Sequence, residues 1–160
     1  MASVVEFLRK SGVAEAERYM GQSLTDIFHM MFNLDIVKTK DSDANAHLVP
    51  AHIMLTRGKT TAYVVLHVSS EAAVLIGQKV GMDVSSGLNE AQVEDVACEI
   101  ANIVGNNLRT FLMEKLGIYF ELGPALPGEV KTSSTEDSIV KLNFQVSSHA
   151  SISLDFVASP

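Results

Sequence analysis

One long helix, predicted between Asn89 and Gly117 in the second half of the chain, limits the possible folds of this sequence more than any other element. Asn89 suits the N-cap position, with Gln92 three residues later as in a capping box, and Gly117 supplies the C-terminal stop. At ~1.5 Å per residue the helix is about 40 Å long, enough to cross a whole domain. One arc of it is apolar and is expected to be buried: Val93, Val96, Ala97, Ile100, Val104, Leu108 and Phe111.

The segments around this helix predict an α+β fold, with long helices packed on an antiparallel sheet. Helical spacing indicates a first helix over 13–34, which Ser23 and Asp26 could interrupt, and Met30 and Met31 are interpreted as core filler. Ser70 is the predicted N-cap of a short helix that ends near Gly81. Alternating apolar residues and turn signals predict strands over 48–56, 60–68, 118–122, 139–147 and 150–157, with a polar turn over 41–46 and another at Ser148-His149.

Length and composition favour one globular domain over residues 1–160, with 1–12 as an N-terminal tail or a short helix. The formal charge of −7 disfavours both nucleic acid and anionic membranes as partners, because each requires a basic face. A single cysteine, Cys98, permits no internal disulfide, and it is interpreted as a small helix residue rather than a nucleophile. The chain shows neither a secretory signal nor a membrane span, so we expect a cytoplasmic protein.

The face of the long helix opposite its apolar arc carries the candidate site. Successive turns present two acids and two carboxamides on that face: Asp95, Glu99, Asn102 and Asn106. Every amphipathic helix exposes polar residues, but Asn is a poor helix former. Asn102, Asn106 and Asn107 nevertheless lie in mid-helix beside Gly105, at a cost of several tenths of a kcal/mol for each Asn and about 1 for Gly relative to Ala. This local cost indicates a function.

An exposed Glu–Asn pair can complete the active site of another protein. A carboxamide both donates and accepts hydrogen bonds, so it can hold a water in line with a phosphorus atom, as a Gln does in small GTPases. An acid one turn away can pair with a Lys or Arg of the partner. No His, Lys or Arg lies within one turn of Glu99 and Asn102 on that face, and nothing there would hold a free phosphate, so a phosphatase of small phosphoesters is disfavoured.

The spacing Asp95-x3-Glu99-x2-Asn102, followed 22 positions later by Pro124, resembles the signature of the CheC/CheX/FliY chemotaxis phosphatases. Residues 116–124 and 49–81 also resemble these proteins. The resemblance implies a phosphatase of a phosphorylated CheY-type response regulator. Asn102 would position the attacking water and Glu99 would contact the receiver lysine, with Asp95, Asn106 and Pro124 in support. Mg²⁺ would belong to the receiver, so the chain would need no metal or cofactor of its own.

The resemblance is to the CheX type, which has one active helix and forms a homodimer. CheC-type proteins carry Glu-x2-Asn twice, whereas the first helix here offers Asp26-x2-His29 and then Asn33. The alternative is a non-catalytic dimeric scaffold that binds a receiver or resembles a flagellar-switch protein. A di-iron site is rejected because it needs Glu-x2-His on two helices. His47, His52 and His67 are interpreted as ordinary strand residues rather than metal ligands.

Overall fold

The computed structural model describes residues 12–40, 47–130, 137–147 and 150–158. Within these ranges the chain forms three helices and six strands. The helices are α1 (Val13–Phe32), α2 (Ser70–Lys79) and α3 (Glu90–Leu116). The strands are β1 (Val37–Thr39), β2 (Leu48–Arg57), β3 (Thr60–Ser69), β4 (Glu121–Pro127), β5 (Asp137–Ser147) and β6 (Ala150–Ala158). The tail or short helix predicted for 1–12, and the turns predicted at 41–46 and 148–149, lie almost wholly outside the described residues.

The strands form one antiparallel sheet in the order β1-β5-β6-β3-β2-β4. All three helices pack on the same face of it, with α3 over β2, β3 and β4, α1 over β5, and α2 over β3 and β6. Alternate strand residues point into that layer, so Ile152, Leu154 and Phe156 of β6 are buried as the alternation predicts. The predicted α+β class is therefore confirmed.

Two halves of the chain repeat the same element order, a helix followed by three strands. The halves are α1 with β1–β3 and α3 with β4–β6, and corresponding strands occupy equivalent places counted from opposite edges of the sheet. A pseudo-twofold axis therefore passes between β3 and β6. Helices α1 and α3 also end alike, because their C-cap residues, Asn33 and Gly117, both have the left-handed backbone conformation, with φ of 51° and 64°. Leu34 N donates to Phe28 O at 3.0 Å, and Ile118 N donates to Leu112 O at 3.1 Å.

The local signals of α3 are realised as predicted. Gln92 N donates to Asn89 Oδ1 at 2.8 Å and Asn89 N donates to Gln92 Oε1 at 3.0 Å, which completes the capping box. All seven residues of the predicted apolar arc are buried. The helix is thus pinned at both ends and along one whole side, which gives its outer face a rigid base.

Three sequence predictions are wrong in detail. Ser69, not Ser70, caps α2, because its buried Oγ accepts from Ala72 N at 3.1 Å. The first helix continues unbroken through its middle polar residues and ends at Phe32. The strand predicted at 118–122 instead starts at Glu121 and runs through Gly123-Pro124 to Pro127.

The fourth strand tolerates proline because it lies at the edge of the sheet and bulges there. Its register against β2 shifts between the pairs Ile53–Ala125 and Leu55–Leu122, so Met54 faces both Gly123 and Pro124. A proline in an edge-strand bulge removes no ladder hydrogen bond that the sheet needs. The short strand β1 was not predicted, and it forms through its antiparallel pairing with β5.

Candidate functional site

The structure places the predicted site residues of α3 on its solvent face. The side chains of Asp95, Glu99 and Asn102 are all exposed, and Asn106 is half-buried one turn beyond Asn102. We call these four residues the α3 stripe. Pro124 lies apart from the stripe, in the bulge of β4, the strand that packs against the neighbouring side of α3.

A chain of side-chain donors holds the carboxamide end of the stripe. Arg109 Nη2 donates to Asn106 Oδ1 at 3.2 Å. Asn106 Nδ2 in turn donates to the backbone oxygen of Asn102 at 2.8 Å, and lies 3.4 Å from Asn102 Oδ1. Asn102, Asn106 and Arg109 therefore form one hydrogen-bonded cluster on the helix. The role of Arg109 was not predicted, although an Arg three residues after an Asn on one helix face is a readable signal.

The two other costly residues of mid-helix have packing roles, which corrects the functional interpretation of their cost. A Cβ on Gly105 would lie 2.8 Å from Ile53 Cγ2 and 3.3 Å from Leu122 Cδ1, so glycine lets α3 approach the sheet closely. Asn107 Nδ2 donates to Ser23 Oγ of α1 at 3.0 Å, at the crossing of the two helices. Only Asn102 and Asn106 remain assigned to the stripe.

The described part of the chain places no cation against the acidic end of the stripe. Among the described residues, neither Asp95 nor Glu99 makes a hydrogen bond or an ion pair. Two like charges on successive turns repel each other, by a few tenths of a kcal/mol in an isolated helix. An incoming Lys or Arg would relieve this repulsion, so the pair is suited to a basic group from outside the chain.

An apolar depression of about 170 Å³ lies directly beside these two carboxylates. Asp95 and Glu99 form its polar rim, and its remaining walls are apolar: Phe32, Ile76, Val80, Met82, Val96 and Ile100. The acidic end of the stripe therefore lies at the border between a charged surface and an apolar one.

The single cysteine is unsuited to nucleophilic chemistry. Burial raises the pKa of the Cys98 thiol, and the nearby carboxylates of Asp95 and Glu94 raise this pKa further. The group is therefore a thiol rather than a thiolate at neutral pH, and only the thiolate is a good nucleophile. This agrees with the interpretation of Cys98 as a small helix residue.

The pseudo-twofold axis shows which residues of α1 correspond to the stripe. Glu99 and Asn102 lie 18 and 15 residues before the cap Gly117, and Glu15 and Arg18 lie 18 and 15 residues before the cap Asn33. Both α1 residues are exposed. The stripe therefore corresponds to Glu15 and Arg18 of α1, and not to Asp26, His29 and Asn33. The first helix has an acid at the equivalent place, but an arginine where α3 has the carboxamide.

Within the described ranges, no three His, Cys, Asp or Glu side chains are grouped as a metal site requires. Two of the strand histidines instead tie the segment after β4 to the sheet. His52 Nδ1 donates to Gly128 O at 2.8 Å, and His67 Nε2 lies 2.6 Å from Glu129 Oε1. No helix of the described chain is long and apolar enough to cross a membrane.

Comparison with solved structures relates this architecture to chemotaxis proteins. Chemotaxis protein CheX from Vibrio vulnificus is 24% identical with a TM-score of 0.69, covering 90% of this chain and 97% of its own. A CheC-like superfamily protein from Shewanella sp. PV-4 is 14% identical with a TM-score of 0.71, covering 92% and 99%. A chain in the CheX–CheY–BeF3–Mg²⁺ complex from Borrelia burgdorferi is 17% identical with a TM-score of 0.64, covering 89% and 97%.

No protein-family model and no curated protein matches the sequence. The structural matches nevertheless cover about nine tenths of this chain and nearly the whole of each matched chain. The chain therefore has the CheC/CheX-like fold, in agreement with the resemblance of its sequence to the CheC/CheX/FliY chemotaxis proteins.

Proposed function

We propose that this protein is a phosphatase that removes the aspartyl phosphate from a CheY-type response regulator, in chemotaxis or another two-component pathway of the cytoplasm. The observation that carries the proposal is the exposed Glu99–Asn102 pair, presented by a capped helix that is buried along its opposite side. The similarity to a chain from a CheX–CheY complex supports the choice of partner.

The proposed chemistry needs only positioning from this chain. The Asn102 carboxamide accepts a hydrogen bond from a water and holds it in line with the phosphorus–oxygen bond of the aspartyl phosphate. The water oxygen then bonds to phosphorus as the bond to the aspartate oxygen breaks, which releases inorganic phosphate and restores the carboxylate. Mg²⁺ and a lysine of the receiver would balance the phosphoryl charge, so this protein needs no metal or cofactor of its own.

The carboxylate of Glu99 has a separate role in this proposal. It pairs with the receiver lysine and sets the distance between Asn102 and the phosphorus atom. Asp95, one turn earlier, adds negative charge that favours the same cation, while Asn106 and Arg109 hold the Asn102 backbone and side chain in place. Pro124 would contribute only through the shape of β4, the strand that packs against α3.

A non-catalytic receiver-binding scaffold is the second candidate function. The Glu15–Arg18 pair on α1 favours it for that helix, because arginine cannot replace the carboxamide that positions water. On α3 the intact pair, together with the donors that hold Asn102, favours catalysis. We therefore assign one active helix to each chain, and we expect a homodimer on the basis of the resemblance.

The test measures loss of aspartyl phosphate from purified receivers of the same cell, phosphorylated with acetyl phosphate. Wild-type protein should accelerate the loss, and Asn102→Ala should lower kcat on the order of 10²-fold, the cost of a misplaced reacting group. Glu99→Ala should raise KM as well as lower kcat. Glu114→Ala, which removes an exposed acid from the last turns of the same helix, is the matched control and should change neither. No acceleration with any of the receivers would refute the catalytic assignment.

A further inference from the structure

A second depression, of about 450 Å³, lies between α1 and α3 on the same flank of the helix as the first. Its apolar wall contains Ile27, Met30, Met31 and Ile103. Consecutive residues in the last turn of α1 line the two depressions, Met31 the second and Phe32 the first. We call the pair of depressions the α1–α3 groove. It runs beside the α3 stripe, with Glu99 on its rim.

The groove collects apolar side chains that a globular protein normally buries. Met30 is 82% exposed, Met31 54% and Val80 56%. The interpretation of Met30 and Met31 as core filler is therefore wrong. Large apolar side chains gathered in one concave surface mark a binding site for another macromolecule. Methionine is flexible and polarisable, so it adapts to a partner surface.

The charge of the groove selects its occupant. The charged residues among those that line it are Asp26, Asp95 and Glu99, all acidic. A second copy of this chain, with a formal charge of −7, would bring acid against acid if it met the groove through the same surface. A partner with apolar side chains flanked by Lys or Arg matches both the walls and the rim.

We propose that the α1–α3 groove binds an apolar, basic-flanked segment of the receiver, next to the phosphorylated aspartate, and thereby sets which receiver this protein accepts. The proposal rests on the proposed function for the identity of the partner. Because Glu99 is both a groove residue and a stripe residue, an occupant of the groove lies within reach of Asn102, one turn away. In this proposal the methionines contact the receiver but not its phosphoryl group, so they affect the binding of the receiver and not the turnover of bound receiver.

The test variant is Met30→Gln combined with Met31→Gln in the full chain. Gln has nearly the helix propensity and length of Met, and both side chains are largely exposed, so folding is retained. The control is Met54→Gln, 37% exposed on the sheet face that carries no helix. Each change is measured twice, as kcat and KM with the phosphorylated receiver, and as Kd for that receiver in the Asn102→Ala background, where the phosphate persists.

We expect the double variant to raise KM and Kd by about tenfold to a hundredfold at unchanged kcat, since each buried methionine contributes on the order of a tenfold factor. Asp26→Asn should raise Kd a few-fold and weaken its salt dependence. The control should change neither constant.

Normal KM and Kd in the double variant, with catalysis intact, would overturn the groove proposal and leave the phosphatase standing. Binding that the double variant weakens, in a protein that hydrolyses nothing, would refute the phosphatase and support the groove. A wild-type protein that binds none of the receivers, or a double variant whose only change is loss of self-association in light scattering, would overturn the groove proposal.

Discussion

Replacing Gly105 with alanine tests how closely α3 approaches the sheet. The added Cβ would lie 2.8 Å and 3.2 Å from two carbons of Ile53, and 3.3 Å from Leu122 Cδ1. The first distance is shorter than a carbon–carbon contact allows. Ile53 is completely buried, and interiors are close-packed, so its side chain can yield little. The helix or the strand must shift instead.

The pseudo-symmetric position supplies a matched control. Gly21 of α1 lies 12 residues before its helix cap, as Gly105 does in α3. A Cβ on Gly21 would meet Leu142 Cδ1 at 3.7 Å and Phe144 Cζ at 3.9 Å, which are ordinary contacts. Alanine in a helix interior gains about 1 kcal/mol over glycine at either site, but only Gly105 carries an overpacking cost of about 1–3 kcal/mol. We therefore expect Gly21→Ala to be about 2 kcal/mol more stable than Gly105→Ala.

Urea denaturation followed by circular dichroism measures the difference. With an m-value of roughly 2 kcal/mol/M, the midpoints of the two variants should differ by about 1 M, with Gly21→Ala at or above wild type and Gly105→Ala below it. The phosphatase assay should also show a lower kcat for Gly105→Ala, because Asn102 lies one turn from the displaced position. Equal midpoints for the two variants would refute the close approach of α3 to β2.

Three further outcomes follow from local contacts. Ser69→Ala should lower the free energy of unfolding by about 2 kcal/mol in urea denaturation, because its buried Oγ accepts two backbone N–H groups. Ser70→Ala should be nearly neutral, and equal losses for the two variants would contradict Ser69 as the cap. Asn89→Ala should cost about 1 kcal/mol by the same measurement, through loss of the capping box, and no loss would contradict that cap. Alkylation of Cys98 by iodoacetamide should accelerate only at a pH above the ordinary thiol pKa, because burial and nearby carboxylates raise the pKa of this thiol. Asp95→Asn should move the midpoint of this pH dependence to lower pH, and an unmoved midpoint would exclude the Asp95 charge as a cause.

Short-range signals made the fold class and the stripe predictable. The capping residues, the helical period of the apolar arc and the alternation in β6 all act within a few residues, so spacing alone reports them. The same period placed Asp95, Glu99 and Asn102 on one exposed face, which the structure retains. It also made every asparagine of mid-helix look equally functional, although Asn107 serves the crossing with α1.

Contacts between residues distant in the chain decided the rest. The contact of Gly105 with Ile53, the bulge of β4 against β2, and the pairing of β1 with β5 each join segments separated by tens of residues, and no local period encodes them. The same holds for the correspondence of α1 with α3, since it rests on how the six strands interleave. Residue spacing is sufficient to specify one long, capped helix with an acid-and-amide face. The exposure of Met30 and Met31 beside that face is a result of tertiary packing, because exposure depends on which neighbours the fold brings to a helix, and not on the helix itself.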